Sequence, residues 1–424
     1  MSESSEVKWP RGRLGDHATV KARLGWKGLK ADEYVDDGPI FLAAPNLRRG
    51  RIDFDNVDHI TQWRFDESPE IQLKESDVLL VKDGSTLGIS SFVRWLPGPT
   101  TVNGSIAVVR PNASLEGGYL FYCINGREFQ KLIWLKRAGL GVPHLFQADL
   151  REFQISLPTR SEQRRIAEIL STVDEAMEQT EALVGKLEQM KAGLMHDLFT
   201  RGVTPDAHLR PTRQQAPHLY HETPLGWLPK EWRAELLDNL SERGSGHTPN
   251  RHRPDFWNGG IKWVSLADSW RLDRLYISET DKEISSAGIA NSSAVLHPPG
   301  IVVLSRDAGV GKSAITTSSM AVSQHFMCWR CGPNLDNHFL YYWLQSQKRI
   351  FENIATGTTI PTIGLRFFKH YRIAAPVDVK EQQRIGSILQ ATDAKLFALE
   401  DDLAKLRQQK QGLMQDLLTG RVPV

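Results

Sequence analysis

A long internal repeat limits the possible folds of this chain more than any other feature. Residues 162–200 and 381–419 align without a gap at a shift of 219 residues. The first half of the repeat shares Glu162, Gln163, Arg165, Ile166, Ile169, Leu170 and Asp174 with Glu381, Gln382, Arg384, Ile385, Ile388, Leu389 and Asp393. The second half shares the pattern GLM-x-DL, which begins at Gly193 and Gly412. The repeat predicts a protein built from two similar halves.

Each copy predicts one long amphipathic helix, because it lacks proline and its apolar residues recur at steps of three and four. Each helix extends over about 39 residues, or ~58 Å at ~1.5 Å per residue. The apolar residues of each helix form a stripe that follows a heptad pattern, with Thr180, Lys191, Thr392 and Lys410 as exceptions. A long stripe needs a partner, which is either the other copy or the adjacent globular domain. We expect the two copies to pair as a coiled coil.

A weaker repeat upstream predicts two globular domains of mixed α/β type. Pro143, Ile155 and Pro158 match Pro361, Ile373 and Pro376, and the apolar runs at 77–88 and 300–311 both end in glycine-containing turns. The predicted organisation runs from a first domain to a helix, a linker rich in proline and polar residues, a second domain and a second helix. The expected boundaries are 1–160, 161–200, 201–223, 224–379 and 380–420.

The order of these parts has a geometric consequence. If the helices pair antiparallel, the two domains are expected at opposite ends of a rod, related by a pseudo-two-fold axis. Such a protein presents two similar surfaces at a fixed separation, as symmetric dimers do on palindromic DNA. Because the two domains differ in sequence, a DNA site that matches them would be asymmetric.

Composition indicates an intracellular protein without a membrane segment. The three cysteines are too few for a disulfide framework, and the polar start MSESSEVKWPRGR lacks the apolar core of a signal peptide. No apolar run approaches the ~20 residues of a membrane span. The formal net charge is only +2, so a DNA-binding surface must come from local clusters of basic residues. We therefore expect a cytoplasmic location.

Four sequence patterns resemble those of the specificity subunits of type I restriction–modification systems. The first domain-to-helix junction resembles the family's LP-x-x-EQ-x-x-I entry through Leu157, Pro158, Glu162, Gln163 and Ile166, and the second through Pro376, Glu381, Gln382 and Ile385. Three and four residues separate the proline from the glutamate here. Both helices end in the family's G-L-M-x-D-L-[FL]-T pattern. The second domain opens with GWLPKEW at 226–232, which is similar to the family's G-x-I-P-x-x-W lead-in. The segment 245–268 resembles a recurrent stretch of the family's recognition domains, although His247 and Asn250 replace its second glycine and its serine.

The resemblance implies a non-catalytic subunit whose two target-recognition domains each read half of a bipartite DNA site. It implies that the helices set the gap between the half-sites and dock two modification subunits, which carry S-adenosylmethionine and methylate adenine. Separate motor-nuclease restriction subunits would cut unmodified DNA, with ATP and Mg²⁺. No cofactor or metal is expected on this chain itself.

Basic and polar residues in loops are the candidates for DNA contact, because phosphate contacts position a protein and base contacts specify its sequence. The candidates are Arg48, Arg49, Arg51, Arg64, Lys82, Ser85, Arg243, His247, Thr248, Asn250, Arg251, Arg253, Ser265, Arg306 and Lys312. For each of them the alternative is an ordinary solvated surface residue.

The helix tails are candidates for docking a protein partner. The segment 161–200 has four Lys or Arg against eight Asp or Glu, a balance of −4 that disfavours contact with phosphate. The candidate docking residues are Gly193, Leu194, Met195, Asp197, Leu198, Gly412, Leu413, Met414, Asp416 and Leu417. A solvated helix face is the alternative.

Two apparent motifs do not predict an enzyme. Residues 309–313 end like a phosphate-binding loop, but Arg306 occupies the position of its first glycine. Cys328 and Cys331 have a zinc-ligand spacing without a second pair, so we expect buried thiols. A single-chain DNA-modifying enzyme and a coiled-coil scaffold without DNA contacts remain the competing interpretations.

Overall fold

The computed structural model describes residues 9–22, 29–48, 50–138, 143–356 and 361–424. The chain divides into two compact units, one formed by Met1–Ala182 with Glu400–Val424 and the other by Leu183–Leu399. Each unit therefore contains a globular part together with portions of both long helices. Arg49 lies outside the described residues. No helix among the described ranges combines the length and apolar character of a bilayer span.

Unit 1 contains eleven of the described strands and the first long helix begins in it. The strands are β1 (Arg11–Arg13), β2 (Ala18–Lys21), β3 (Tyr34–Leu42), β4 (Leu47–Arg48), β5 (Arg51–Ile52), β6 (Asp58–Ile60), β7 (Val78–Val81), β8 (Ser90–Phe92), β9 (Thr100–Val102), β10 (Ile106–Pro111) and β11 (Gln154–Ser156). The helices are α1 (Leu14–His17), α2 (Gln62–Asp66), α3 (Gly117–Asn125), α4 (Arg127–Arg137), α5 (Gln147–Glu152) and α6 (Arg160–Arg201).

Unit 2 repeats this order with additional strands. The strands are β12 (Tyr220–Thr223), β13 (Gly226–Pro229), β14 (Trp232–Leu236), β15 (Ser241–Ser245), β16 (Trp257–Val264), β17 (Tyr276–Ile277), β18 (Lys282–Ile284), β19 (Leu296–His297), β20 (Val302–Ser305), β21 (Ser313–Thr316), β22 (Met320–Val322), β23 (Phe326–Cys331) and β24 (Arg372–Pro376). The helices are α7 (Leu237–Leu240), α8 (Ser286–Ala290), α9 (Asn337–Ser346), α10 (Lys348–Ile354), α11 (Leu365–Lys369) and α12 (Val379–Thr419).

The same sheet framework occurs in both units. Unit 1 has a sheet ordered β2-β10-β7-β8 and a second ordered β6-β3-β9, and unit 2 has β15-β23-β20-β21-β17 and β18-β16-β22-β19. The central strands β7 and β20 are entirely buried, as their continuous apolar sequences predict. In both units the long strand β3 or β16 contains a register shift and pairs parallel with a later strand. The predicted mixed α/β class is confirmed.

The long helices pair antiparallel within each unit. In unit 1, Asp174 and Glu181 of α6 form ion pairs with Lys410 and Arg407 of α12, so the partner number falls as the α6 number rises. In unit 2, Lys191 of α6 pairs with Asp393 of α12. The predicted coiled coil of α6 with α12 is therefore confirmed. Packing of each helix on a globular domain, the alternative to the coiled coil, also occurs, because the helix ends pack on the globular cores.

Each globular core is completed by the start of one helix and the end of the other. In unit 1, Ile166 and Leu170 of α6 share a core with Leu417 of α12. In unit 2, Ile385 and Leu389 of α12 share a core with Leu198 of α6. This exchange explains why the repeat conserves apolar residues at both of its ends.

Candidate nucleic-acid interface

The repeated glutamine of each junction fastens the helix start to the globular part. Gln163 accepts a hydrogen bond from the Glu116 amide at 2.8 Å and donates to the Pro158 carbonyl at 2.9 Å. Gln382 accepts from the Asp336 amide at 2.8 Å and donates to the Pro376 carbonyl at 2.9 Å. Because both side chains are buried and both their carbonyl and amide groups are hydrogen-bonded, they set the angle at which each helix leaves its domain.

The glutamates beside these glutamines act differently. Glu162 accepts from the amide and hydroxyl of Thr159, each at 2.7 Å, and forms a capping box at the start of α6. Glu381 is buried and accepts from both terminal nitrogens of Arg210, at 2.5 and 2.9 Å. It also accepts from the Val203 amide and the Trp232 indole, each at 3.0 Å. Glu381 thereby ties the linker to α12.

The polar exceptions of the heptad pattern form a repeated network. In unit 1, the Tyr122 hydroxyl donates to Asp174 at 2.8 Å, and the Lys410 ammonium lies 2.5 Å from the same carboxylate. In unit 2, the Tyr342 hydroxyl donates to Asp393 at 2.9 Å, and Lys191 is the paired cation. Burial, followed by the nearby carboxylate, raises the pKa of both tyrosines, so each remains a neutral donor. The seam lysines thus neutralise repeated aspartates.

Three candidates of unit 1 are exposed. Arg48 ends β4 and its guanidinium lies 3.3 Å from the Asp53 carboxylate. A hydrogen bond from the Asp55 amide lowers the pKa of Asp53, so this partner stays ionised. Arg51 starts β5 and pairs with Glu178 on α6. Ser85 is exposed in the turn that follows β7. These three side chains remain candidates for DNA contact.

Two other candidates of unit 1 are engaged in the fold. Arg64 is only 4% exposed, lies 2.5 Å from Glu67 and 3.7 Å from Glu33, and therefore cannot reach a phosphate. The prediction for Arg64 needs correction, because its charge is used in an internal ion-pair network. Lys82 is largely buried and pairs with Asp83 at 2.7 Å, which makes it a weaker candidate.

The predicted loop of unit 2 presents several polar side chains to solvent. The Trp263 indole donates to the His247 carbonyl at 3.1 Å, and the Trp257 indole donates to the Asn250 carbonyl at 3.2 Å. These bonds fix the loop backbone, while the side chains of His247, Asn250 and Arg251 are exposed. A fixed loop with exposed donors is suited to a groove of DNA.

The flanks of this loop are more constrained. The Thr248 hydroxyl donates to the Gln324 side chain at 2.7 Å. Arg253 makes two 2.9 Å hydrogen bonds to Asp255, which lower the pKa of that carboxyl, and its guanidinium lies over the Phe256 ring. Both residues therefore have partners that DNA would have to replace.

Four further candidates of unit 2 support the structure. Ser265 is buried and caps a short turn with Asp268, so it is not available to DNA and its prediction is corrected. Arg306 donates to the Ile363 carbonyl at 3.0 Å and the Gln324 carbonyl at 3.3 Å, which clamps two loops. Lys312 donates to the Ser269 carbonyl at 3.2 Å. Arg243 pairs with Asp238 at 3.3 Å.

The docking candidates at the helix tails divide into inward and outward faces. Leu198 and Leu417 are buried in the cores, and Leu194, Met195, Leu413 and Met414 pack against those cores. The docking prediction is therefore corrected for Leu198 and Leu417, whose apolar surface already serves the fold. The other four side chains are half-buried and remain candidates. Gly193 and Gly412 are exposed, and Asp197 and Asp416 are half-buried. These four remain candidates on the outer face.

A second exposed feature of unit 2 was not predicted from the sequence. Trp270 and Arg271 lie in the segment that joins β16 to β17, directly after the stretch that matched the family pattern. The arginine lies over the indole ring, with its guanidinium carbon 4.2 Å from the ring centroid. The sequence signal was the pair of basic residues in SWRLDR at 269–274.

Comparison with known proteins agrees with this arrangement of two similar units. The family model described as the type I restriction modification DNA specificity domain matches residues 6–189 and 229–406. These two matches cover most of the chain and fall on both halves of the repeat. The chain belongs to the type I DNA-specificity family. The family supplies DNA specificity, so the chain is a specificity subunit rather than a catalytic subunit.

Relatives and solved structures of this family extend over the whole length of the chain. The MjaVIII specificity subunit of Methanocaldococcus jannaschii is 24% identical over 428 residues, covering 98% of this chain and 93% of the relative. The S subunit from M. genitalium has a TM-score of 0.62 at 13% identity, covering 99% and 98% of the two chains. A chain from a study of type I complex assembly and conformational transition has a TM-score of 0.53 at 19% identity, covering 98% and 99%.

Proposed function

We propose that the two globular parts of this specificity subunit each read one half of an asymmetric bipartite DNA site. Their recognition domains would extend over 1–160 and 224–379. The observation that carries the proposal is the repetition of one sheet framework with different exposed loops. Unit 1 presents Arg48 and Arg51 after its long strand, whereas unit 2 presents the loop around Arg251 before its long strand. Similar frames with different exposed side chains suit two half-sites of different sequence.

The helices would act as the spacer between the half-sites. Four buried or half-buried charged residues, Asp174, Lys410, Lys191 and Asp393, fix the register of the antiparallel pair. A buried polar pair disfavours a shifted register, because any shift leaves its charges without partners. Inserting one heptad into 166–198 and into the equivalent 385–417 should lengthen the preferred gap between half-sites.

The partners would be double-stranded DNA, two modification subunits and the motor-nuclease restriction subunits. The outer helix faces around Gly193 and Gly412 offer room for docking, since an added Cβ at either glycine meets nothing within 4 Å. S-adenosylmethionine, ATP and Mg²⁺ would bind to the partner subunits. The complex would act in the cytoplasm, at the nucleoid when it is bound to DNA.

Footprinting tests this proposal. The chain is combined with the modification subunits of its host and applied to genomic fragments. We expect two protected half-sites separated by an unprotected or weakly protected gap. The heptad-insertion variant should protect the same half-sites at a wider gap. A single continuous footprint, or a gap that the insertion does not change, would contradict the proposal.

An assay of S-adenosylmethionine binding by the isolated chain separates the specificity role from the competing single-chain enzyme. We expect no binding to this chain alone and binding once the modification subunits are added. Binding by the isolated chain would support the enzyme. A scaffold without DNA contacts predicts that removal of this chain leaves the footprints of the modification subunits unchanged.

A further inference from the structure

Trp270 is displayed on the surface of unit 2 by a rigid loop. Its side chain is 70% exposed. On one side of it, the buried carboxylate of Asp268 accepts from the Ser265 amide at 2.9 Å and the Asp281 amide at 2.7 Å. A tryptophan held in water by a fixed loop is a feature of binding surfaces, since folding alone would favour its burial.

The other side of this loop is fixed by Asp273. Its carboxylate accepts from the Ser313 amide at 3.0 Å and the Gln345 side chain at 2.6 Å, and it pairs with Lys348 at 2.7 Å. Asp273 and Leu275 both have positive φ values, 67° and 61°. Such strained backbone conformations persist only where the surroundings enforce them, and they concentrate at functional sites. The loop is therefore preorganised.

Arg271 uses this platform to present a fixed guanidinium. Its carbon Cζ lies 4.2 Å from the Trp270 ring centroid, and its Nε lies 3.4 Å from Asp268 Oδ1. Within the part of the chain that the structure describes, neither terminal nitrogen of Arg271 has a hydrogen-bond partner. The indole restrains one face of the group and the carboxylate restrains its inner edge. The outer edge, with its planar pair of donors, is left for a ligand.

We propose that Arg271 reads a guanine in the DNA half-site bound by unit 2, with Trp270 and Asp268 as positioning residues. The inference rests on the proposed function. Guanine presents two acceptors, O6 and N7, at one edge in the major groove, and the two terminal nitrogens of arginine match them. The planar fork of arginine suits this bidentate contact, which the point charge of lysine does not reproduce.

Lys312, which lies between β20 and β21, supports the same assignment by placing another cation against this loop. Its ammonium donates to the carbonyl of Ser269, the residue immediately before Trp270. A cation beside a base-reading arginine attracts the flanking phosphate and holds the loop in register on the duplex. Lys312 thus both holds the loop through the Ser269 carbonyl and adds positive charge beside the group suited to base recognition.

The corresponding position of unit 1 carries a different surface. After β3, Asn46 Oδ1 accepts from the Ala43 amide at 2.8 Å, which reproduces the turn that Asp268 forms with Ser265 in unit 2. The residues that follow form the hairpin of β4 and β5, with Arg48 and Arg51 and no tryptophan. The Trp270–Arg271 pair is therefore expected to affect recognition of one half-site only.

Fluorescence anisotropy with the complete modification complex tests the inference. The probes are the cognate duplex and a panel in which each base pair of both half-sites is substituted singly. Arg271→Ala should abolish discrimination at one G·C pair, a loss of about 5- to 150-fold, the range for one bidentate contact. Discrimination at other positions should persist. Arg271→Lys should show the same selective loss, and Trp270→Ala a smaller loss at the same pair.

Arg330→Ala is the matched control, because Arg330 is an exposed arginine of unit 2 on β23 whose guanidinium lies 3.8 Å from the Glu242 carboxylate. It should leave the whole panel unchanged. If the Arg271 and Trp270 variants keep discrimination at every base pair, the inference is wrong. If Arg271→Ala lowered the affinity equally for every duplex and lowered the salt slope by about 1, Arg271 would contact a phosphate, and the inference would again be wrong. A wild-type complex that discriminates at no position would instead overturn the proposed function.

Discussion

The buried carboxylate of Glu381 gives the sharpest test of how unit 2 is held together. Glu381 accepts four hydrogen bonds, two from Arg210 and one each from the Val203 amide and the Trp232 indole. Its side chain is 3% exposed and that of Arg210 is 11% exposed. Glu381→Ala leaves a guanidinium and two N–H groups without this acceptor. We expect the free energy of unfolding to fall by about 3–5 kcal/mol.

Differential scanning calorimetry measures this effect as a fall in the melting temperature of unit 2. One kcal/mol corresponds to about 2–4 °C for a unit of this size, so we expect a decrease of roughly 10 °C. Glu162→Ala is the matched control at the same position of the repeat, where the half-exposed glutamate serves only as a helix cap and its loss costs about 1 kcal/mol. Equal decreases in the two variants would refute the reasoning.

The double variant Glu381→Leu with Arg210→Met separates the ion pair from the packing around it. Replacing both charges by apolar groups removes the desolvation cost along with the attraction, and such replacements are often neutral or stabilising. We expect the double variant to recover most of the stability that Glu381→Ala loses. A double variant as unstable as the single one would show that the Val203 and Trp232 contacts dominate.

Three further predictions concern DNA contact, the helix seam and a thiol. Arg251→Ala should lower the salt slope of DNA binding by about 1, because one phosphate contact is lost. Arg64→Ala should lower the melting temperature and leave that slope unchanged. If only Arg64→Ala changed the slope, the two assignments would be reversed. Lys191→Met should lower the free energy of unfolding, measured with urea, by about 3 kcal/mol because it leaves the buried Asp393 carboxylate without its cation. Lys186→Met, at an exposed position of the same helix, should lower it by less than about 0.5 kcal/mol. Equal decreases in the two variants would contradict this role of Lys191. Burial raises the pKa of the Cys328 thiol from 9.0 to about 12, so its thiolate at pH 8 is about a thousandfold scarcer than in the unfolded chain. Iodoacetamide should therefore label it slowly until urea is added, and equally fast labelling of the native protein would contradict its burial.

The sequence predicted the long helices and their pairing because the repeat places the same residues at the same positions twice. Gln163 and Gln382 make the same contacts in the two units, so the repeated glutamine corresponds to the same helix attachment in both. Lys191 and Lys410 looked like defects in the heptads. Their partners, Asp393 and Asp174, lie on the other helix, and only the register of the pair shows that the charges match.

The candidate DNA contacts were less predictable, because an arginine in a loop has the same sequence signature whether it faces solvent or the interior. Arg64 is buried because Glu33, remote in sequence, lies beside it. Arg306 is held by carbonyls of two other loops. Conversely, the exposure of Trp270 was not predictable, because a tryptophan is ordinarily expected in a core and only the neighbouring basic residues of 269–274 were a signal. The placement of these side chains depends on tertiary contacts that local sequence does not encode.

A genome-wide profile of methylated motifs, in the host with and without this chain, tests the central claim most directly. We predict one motif that depends on the chain, made of two short specific halves separated by a gap of fixed length and unspecified bases. The Arg271→Ala variant should relax one base pair in one half of that motif. A continuous motif, or a profile that is the same without the chain, would contradict the account.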